Sequence, residues 1–182
     1  MLKYYQLYPR KPAEKKQGDY EMKNLILLDV LKQAMLAAIY VVLVYIFQFA
    51  SFGLIQFRIA ELLMIFILFD KKSIIGLTIG CFLANLLGGA ILIDVIFGTL
   101  ATTIAGFLMY FTRNKPVVAM IWPAVTNGII VGLILTYGYA LGPIWLTAPS
   151  VFIGEFAVMY VLGLSIYWTL KENKNFIEFF KG

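Results

Sequence analysis

The chain has 182 residues, of which 62% are hydrophobic and 14% charged, with a formal charge of +5, one cysteine and no histidine. At roughly 20 residues per membrane-spanning helix, that composition leaves room for about six spans and almost no extramembrane domain, so an ATP-hydrolysing or other soluble catalytic domain would have to be another chain. The lone Cys81 gives no disulfide framework and no thiolate cluster for a metal, and the basic residues sit at segment boundaries, as topogenic charge does, rather than on a nucleic-acid surface.

Residues 1–23 are polar and basic, contain Pro9 and Pro12, and lack an apolar core. They read as a cytoplasmic tail and not as a signal peptide; Tyr4, Tyr5 and Tyr8 suit either a membrane interface or a flexible tail. A membrane domain is expected over 24–171 and a second cytoplasmic tail over 172–182. The first apolar segment runs from about Leu25 to Phe47, followed by a connection with Ser51, Gly53 and Gln56. A short segment covers about Arg58 to Phe69 and ends at Asp70-Lys71-Lys72. The third covers about Ser73 to Leu87, with Gly88-Gly89 as its turn. The fourth runs from about Ile91 to Phe111 and stops at Arg113-Asn114-Lys115-Pro116. The fifth covers about Val117 to Tyr137, Gly138 to Pro149 is a loop, and the sixth covers about Ser150 to Leu170.

Charge tests this partition. The two tails, the Asp70–Lys72 turn and the Arg113–Lys115 turn hold nearly all the lysines and arginines, while the Gly88–Gly89 turn and the Gly138–Pro149 loop hold none. Such alternation predicts an all-α integral membrane protein with six transmembrane helices and both termini in the cytoplasm. Five or seven spans would break it. The second and third segments are shorter than a full span, which leaves space for a loop to fold in above them.

Placing ionisable groups at bilayer depth costs at least ~2.5–3.5 kcal/mol each on insertion scales, so those that persist usually line a cavity. In the predicted topology Arg58, Glu61, Asn85, Asp94, Asn127 and Glu155 share the outer half of the bundle. Each has a plainer role. Arg58 and Glu61, three residues apart on one helical face, suit a stabilising ion pair as well as a ligand. Asp94 suits the positive end of a helix, and Asn85 and Asn127 suit interhelical hydrogen bonds. Glu155 has no basic neighbour in sequence, so it needs Arg58, a proton or a ligand donor. Together, carboxylates that accept and amides that do both suit a flat polar heterocycle between apolar or aromatic walls. Phe52, Phe57, Phe97, Tyr137, Tyr139 and Trp145 are candidate walls, Trp145 being equally suited to interfacial anchoring. Ala34 and Ala38 put small side chains one turn apart and let another helix approach closely, as do Gly76 with Gly80 and Gly128 with Gly132.

Three runs carry a family resemblance: Ile55-Gln56-Phe57-Arg58-Ile59-Ala60-Glu61, Gly76-Leu77-Thr78-Ile79-Gly80-Cys81-Phe82-Leu83-Ala84-Asn85-Leu86, and Asp94-Val95-Ile96-Phe97-Gly98-Thr99-Leu100-Ala101-Thr102. With Asn127-Gly128 and Gly154-Glu155, they resemble the QueT family over roughly Lys23 to Leu170. Its members are the substrate-binding S components of energy-coupling factor (ECF) transporters assigned to queuosine-precursor uptake. The resemblance implies a six-helix S-component bundle in the bacterial cell membrane, with an outward-facing pocket capped by the loop after the first helix. It implies as partners a transmembrane scaffold subunit and two ATPase subunits, which use ATP while this chain binds no cofactor. In that superfamily an alanine-x-x-x-alanine motif contacts the scaffold, and Ala34 and Ala38 match it. The cycle implied is toppling within the membrane, and the substrate a 7-deazaguanine or queuine-like base.

Other classes make different demands. An intramembrane enzyme would need acid/base work from Glu61, Asp94 and Glu155, yet no nucleophile signature or metal-ligand set accompanies them. A stand-alone carrier or channel would move solute without ATPase subunits, and an S component for another vitamin-like heterocycle would share this architecture. Catalytic and metal-binding residues are therefore not expected.

Overall fold

The structure, a computed structural model, describes residues 13–48 and 57–181, with side chains from 26 to 48 and from 57 to 180. Phe52, the loop carrying Ser51, Gly53 and Gln56, and the tail tyrosines lie outside the described residues. The described residues are mostly helical, joined by short turns and loops, with no strand among them. Helix α1 (Ala13–Ile46) is followed by a 3₁₀ segment (Ile59–Leu68), then α2 (Ser73–Leu87), α3 (Leu92–Thr112), the single turn α4 (Pro116–Ala119) and α5 (Trp122–Leu133). α5 runs into a π-helical segment (Ile134–Gly138), and α6 (Ile144–Ala157) into a second (Val158–Gly163) that leads to α7 (Leu164–Glu172). A final helix, α8 (Lys174–Lys181), occupies the segment read as a polar tail.

Among the described residues, four stretches are long and apolar enough to cross a membrane: Ile26–Ile46, Leu92–Thr112, Pro116–Gly138 and Ile144–Glu172. The last begins about one and a half turns earlier than the sequence reading placed it, because Pro149 is accommodated inside α6 rather than before it. The 3₁₀ segment and α2 are shorter, at 10 and 15 residues. At rises of about 2.0 and 1.5 Å per residue they cover roughly 20 Å each, short of the ~30 Å hydrocarbon core.

Helical periodicity separates bundle from bilayer. On α1 the buried residues are Lys32, Gln33, Leu36, Ala37, Tyr40 and Val44, while Leu31, Met35, Ile39, Val42 and Ile46 face outward. Apolar lipid tails give no hydrophobic drive between such helices, so close packing must hold them together. The glycine pairs provide it. A Cβ on Gly80 would lie 2.8 Å from Tyr40 Cβ, and one on Gly132 would lie 2.7 Å from Ala148 Cα. The pairs Gly76/Gly80 and Gly128/Gly132 are thus consumed inside the chain, where α1 crosses α2 and α5 crosses α6.

The basic turns gather at one end of the bundle. Asp29 on α1 pairs with Lys72, whose ammonium is held above its ordinary pKa by that hydrogen bond, and with Lys32 at 4.0 Å. α8 folds beneath this end: Phe180 stacks on Phe66 at 5.0 Å, Phe176 meets Phe69 edge-on at 5.2 Å, and the Lys32 ammonium lies 4.9 Å from the Phe179 ring centre. The opposite end carries the Gly88–Ala90 turn, the loop after Gly138, and the entry to the 3₁₀ segment. There Tyr45 donates to the Leu87 carbonyl at 2.9 Å.

Candidate functional site

The bundle buries the polar residues toward the end opposite its basic turns. Arg58 enters the 3₁₀ segment and Glu61 stands in its first turn; Asn85 lies near the end of α2, Asp94 in the first turn of α3, Asn127 in the middle of α5 and Glu155 late in α6. All six side chains are buried, and Glu61, Asn127 and Glu155 have no exposed surface at all.

Glu61 is held from two sides. Its Oε1 accepts the Tyr40 hydroxyl of α1 at 2.7 Å and the Thr102 hydroxyl of α3 at 2.9 Å. Arg58 Nη2 donates to Asn85 Oδ1 at 3.4 Å and contacts Cys81 Sγ at 3.8 Å, and Asn85 Nδ2 lies 3.6 Å from the same sulfur. Cys81 in turn lies 3.4 Å from Thr102 Oγ1, which closes one network over α1, the 3₁₀ segment, α2 and α3. Across the bundle, Asn127 Nδ2 donates to Glu155 Oε1 at 3.1 Å. No hydrogen bond among the described residues joins this pair to the Glu61 network.

Asp94 sits at the edge of these groups. Tyr139 donates to Asp94 Oδ2 at 3.1 Å and accepts the Ile91 N–H at 3.1 Å, tying the loop after α5 to the start of α3. A Cβ on Gly98 would meet Asp94 Oδ1 at 2.6 Å and Asn85 Nδ2 at 3.3 Å. That glycine therefore makes the room in which the carboxylate and the amide stand.

The ion-pair reading of Arg58 and Glu61 is not realised as a direct contact: among the described residues, the pairs within 4.0 Å are those of Asp29 with Lys32 and Lys72. Four buried polar atoms of the cluster instead have no partner, namely Arg58 Nη1, Glu61 Oε2, Asn127 Oδ1 and Glu155 Oε2. Buried polar atoms are rarely left so, since each costs roughly 1–3 kcal/mol. One is a donor and three are acceptors, and they come from the 3₁₀ segment, α5 and α6. A molecule bound among them would be read by donating about three hydrogen bonds and accepting one.

Tyr40, Cys81 and Thr102 join the site without having been read from the sequence as polar candidates. The expected walls divide: Tyr139 is a hydrogen-bonding member of the site, whereas Tyr137 and Trp145 are 77% and 78% exposed. Phe97 and Tyr137 line a separate apolar groove of about 570 Å³ with Ile93, Leu100, Ile130 and Leu133. Among the described residues, no group of three His, Cys, Asp or Glu side chains is placed to hold a metal. Ala34 and Ala38 lie apart from the site, exposed on α1.

A family model described as QueT transporter matches residues 30–172. Among curated proteins, the queuosine precursor transporter QueT of Lactococcus lactis subsp. cremoris (strain MG1363) is 33% identical over 155 residues, covering 77% of this chain and 90% of that protein. No solved structure matches the chain.

Proposed function

Because the chain belongs to the QueT transporter family, a family of transporters and not of enzymes, we propose that it captures a queuosine precursor as the S component of an ECF importer. The observation that carries this reading is the set of four unpartnered polar atoms. A 7-deazaguanine base matches them in kind: its ring N–H and amino groups donate to the carboxylates and the Asn127 carbonyl, and its carbonyl accepts from Arg58. Arg58, Glu61, Asn127 and Glu155 contact the ligand, with Asn85 and Asp94 completing the polar lining. Tyr40 and Thr102 are positioning residues, since they fix the Glu61 carboxylate.

The segregation of basic turns to one end supports six membrane-embedded segments with both termini in the cytoplasm of a bacterial cell. The site then lies toward the outside, and the two short segments sit below the outer surface. As the resemblance to ECF S components implies, energy comes from a transmembrane scaffold and two ATPase partners that engage the face marked by Ala34 and Ala38; the sequence itself carries no glycine-lysine nucleotide-binding loop. The chain delivers its ligand by toppling while the partners hydrolyse ATP.

Calorimetric titration of the purified chain with queuine and smaller 7-deazaguanine precursors tests this, with guanine, riboflavin and thiamine as controls. Selective tight binding of a deazaguanine without turnover is expected. A folded sample that binds none of them overturns the substrate, and uptake into liposomes without ATPase subunits overturns the coupling.

A further inference from the structure

A cavity of about 500 Å³ opens at the basic end of the bundle, between the close of the 3₁₀ segment, the end of α3 and α8. Ile67, Leu68 and Phe180 supply its apolar walls, and its rim carries Lys71, Arg113 and Asn114, all exposed. The cations at this end are of two kinds. Lys32 and Lys72 are both paired with Asp29, whereas among the described residues neither Lys71 nor Arg113 has a carboxylate within 4.0 Å. Arg113 is nonetheless held: its guanidinium lies 4.1 Å from the centre of the Tyr110 ring, which also lines the cavity. Asp70 lines it too, with Oδ1 accepting the Lys72 N–H at 2.9 Å and Oδ2 buried, so two cations outweigh one partly engaged carboxylate.

Topogenic charge needs only to lie on the correct side of the membrane, and a cation at a helix C-terminus needs only the helix end. Neither role calls for two cations from different elements around one cavity with apolar walls. Depth narrows the occupant. Arg113 directly follows the 21-residue span Leu92–Thr112. At about 1.5 Å per residue that span matches the ~30 Å hydrocarbon core, which sets Arg113 at the level of the lipid phosphates. A guanidinium stacked on a ring keeps its edge free for paired hydrogen bonds to two phosphate oxygens. The Lys71 ammonium adds a point charge, and the Asn114 amide can donate. We propose that this cavity binds the phosphate headgroup of an anionic phospholipid, with Arg113 and Lys71 on the phosphate and the lipid's apolar part against Ile67, Leu68 and Phe180. Basic pockets at the cytoplasmic ends of membrane helices take such headgroups. One wall, Phe180 of α8, lies beyond residues 30–172 that match the family model, so the site is completed by a segment outside that match. It rests on membrane insertion and is independent of which ligand the chain captures.

The test uses the full-length chain in a neutral detergent. Thermal unfolding is followed against added phosphatidylglycerol, phosphatidylcholine, inorganic phosphate or glycerol phosphate, and retained lipid is counted by native mass spectrometry. Phosphatidylglycerol is expected to raise Tm to a plateau, as a ligand of the native state does, with about one lipid retained per chain. Lys71→Gln and Arg113→Gln should each raise the midpoint lipid concentration by at least about fivefold. Lys115→Gln, an equal charge change at an exposed position off the cavity, should shift it by less than about twofold. If Arg113→Gln does not fold, Lys71→Gln on the exposed turn carries the comparison. Equal losses in all the variants would mean diffuse attraction to a basic surface and overturn the proposal. Phosphatidylcholine acting like phosphatidylglycerol would show that net charge is not read, and would overturn it as well. Inorganic phosphate or glycerol phosphate with the midpoint of the lipid would replace the headgroup by a free anion. Absence of both a plateau and a retained lipid would leave no site at all.

Discussion

Replacing Glu155 by Gln separates ligand recognition from folding. The carboxylate Oε1 accepts from Asn127 at 3.1 Å, and Oε2 has no partner. A glutamine of the same shape keeps an oxygen for Asn127 but turns an NH₂ group toward the place Oε2 occupied. The variant thus loses an acceptor and confronts a ligand donor with another donor. Leaving a buried donor without an acceptor costs about 1–3 kcal/mol, which corresponds to roughly a 5- to 150-fold rise in Kd. Folding is affected little, because the Asn127 bond is kept and one buried group without a partner replaces another. Calorimetry beside a thermal-unfolding scan should give weakened binding with a nearly unchanged Tm. Wild-type affinity would remove Glu155 from the site, and a parallel fall of affinity and Tm would make it a structural residue.

Tyr40→Phe removes one of the two hydroxyls on Glu61 Oε1, so a loss of about 1.5–3 kcal/mol in stability is expected together with weaker ligand binding, read by unfolding and by calorimetry. Gly80→Ala drives a methyl against Tyr40 and Ala37; overpacking of about 1–3 kcal/mol should lower Tm, and binding should fall with it because Tyr40 moves. Ala38→Trp, on an exposed face, should abolish reconstituted transport while leaving ligand Kd within about twofold; lost binding in the isolated chain would mean the face packs internally. Tyr139→Phe frees Asp94 Oδ2 and the Ile91 N–H, and should speed hydrogen exchange in the turn before α3.

The polar residues were legible because an ionisable group in an apolar run stands out, and helix direction alone put Arg58, Glu61, Asn85, Asp94, Asn127 and Glu155 at one depth. Tyr40 and Thr102 were not, since a tyrosine or threonine within a span is compatible with any face. Only the α1 periodicity that buries Leu36, Ala37, Tyr40 and Val44 together could have turned Tyr40 inward. The apolar runs located the helices, yet the 3₁₀ winding of Ile59–Leu68 and the π turns at Ile134–Gly138 and Val158–Gly163 leave no mark in hydropathy. They arise from how neighbouring helices hold the backbone, which is tertiary information. Whether a small-residue pair faces inward or outward was equally hidden: glycine and alanine pairs have the same spacing, and only packing sends the glycines to internal crossings.

The tight winding of Ile59–Leu68 has a mechanical consequence. With three residues per turn, Glu61, Met64 and Ile67 stack in a straight file, and all three are buried. Rewound at 3.6 residues per turn, the same ten residues would shorten by about 5 Å, and Ile67 would swing roughly 120° around the axis relative to Glu61. Length and rotation are thus geometrically linked here: any rewinding that shortens the segment also turns Glu61 relative to its far end. The Asp70–Lys72 turn and the Glu61 carboxylate stand at the two ends of that linkage.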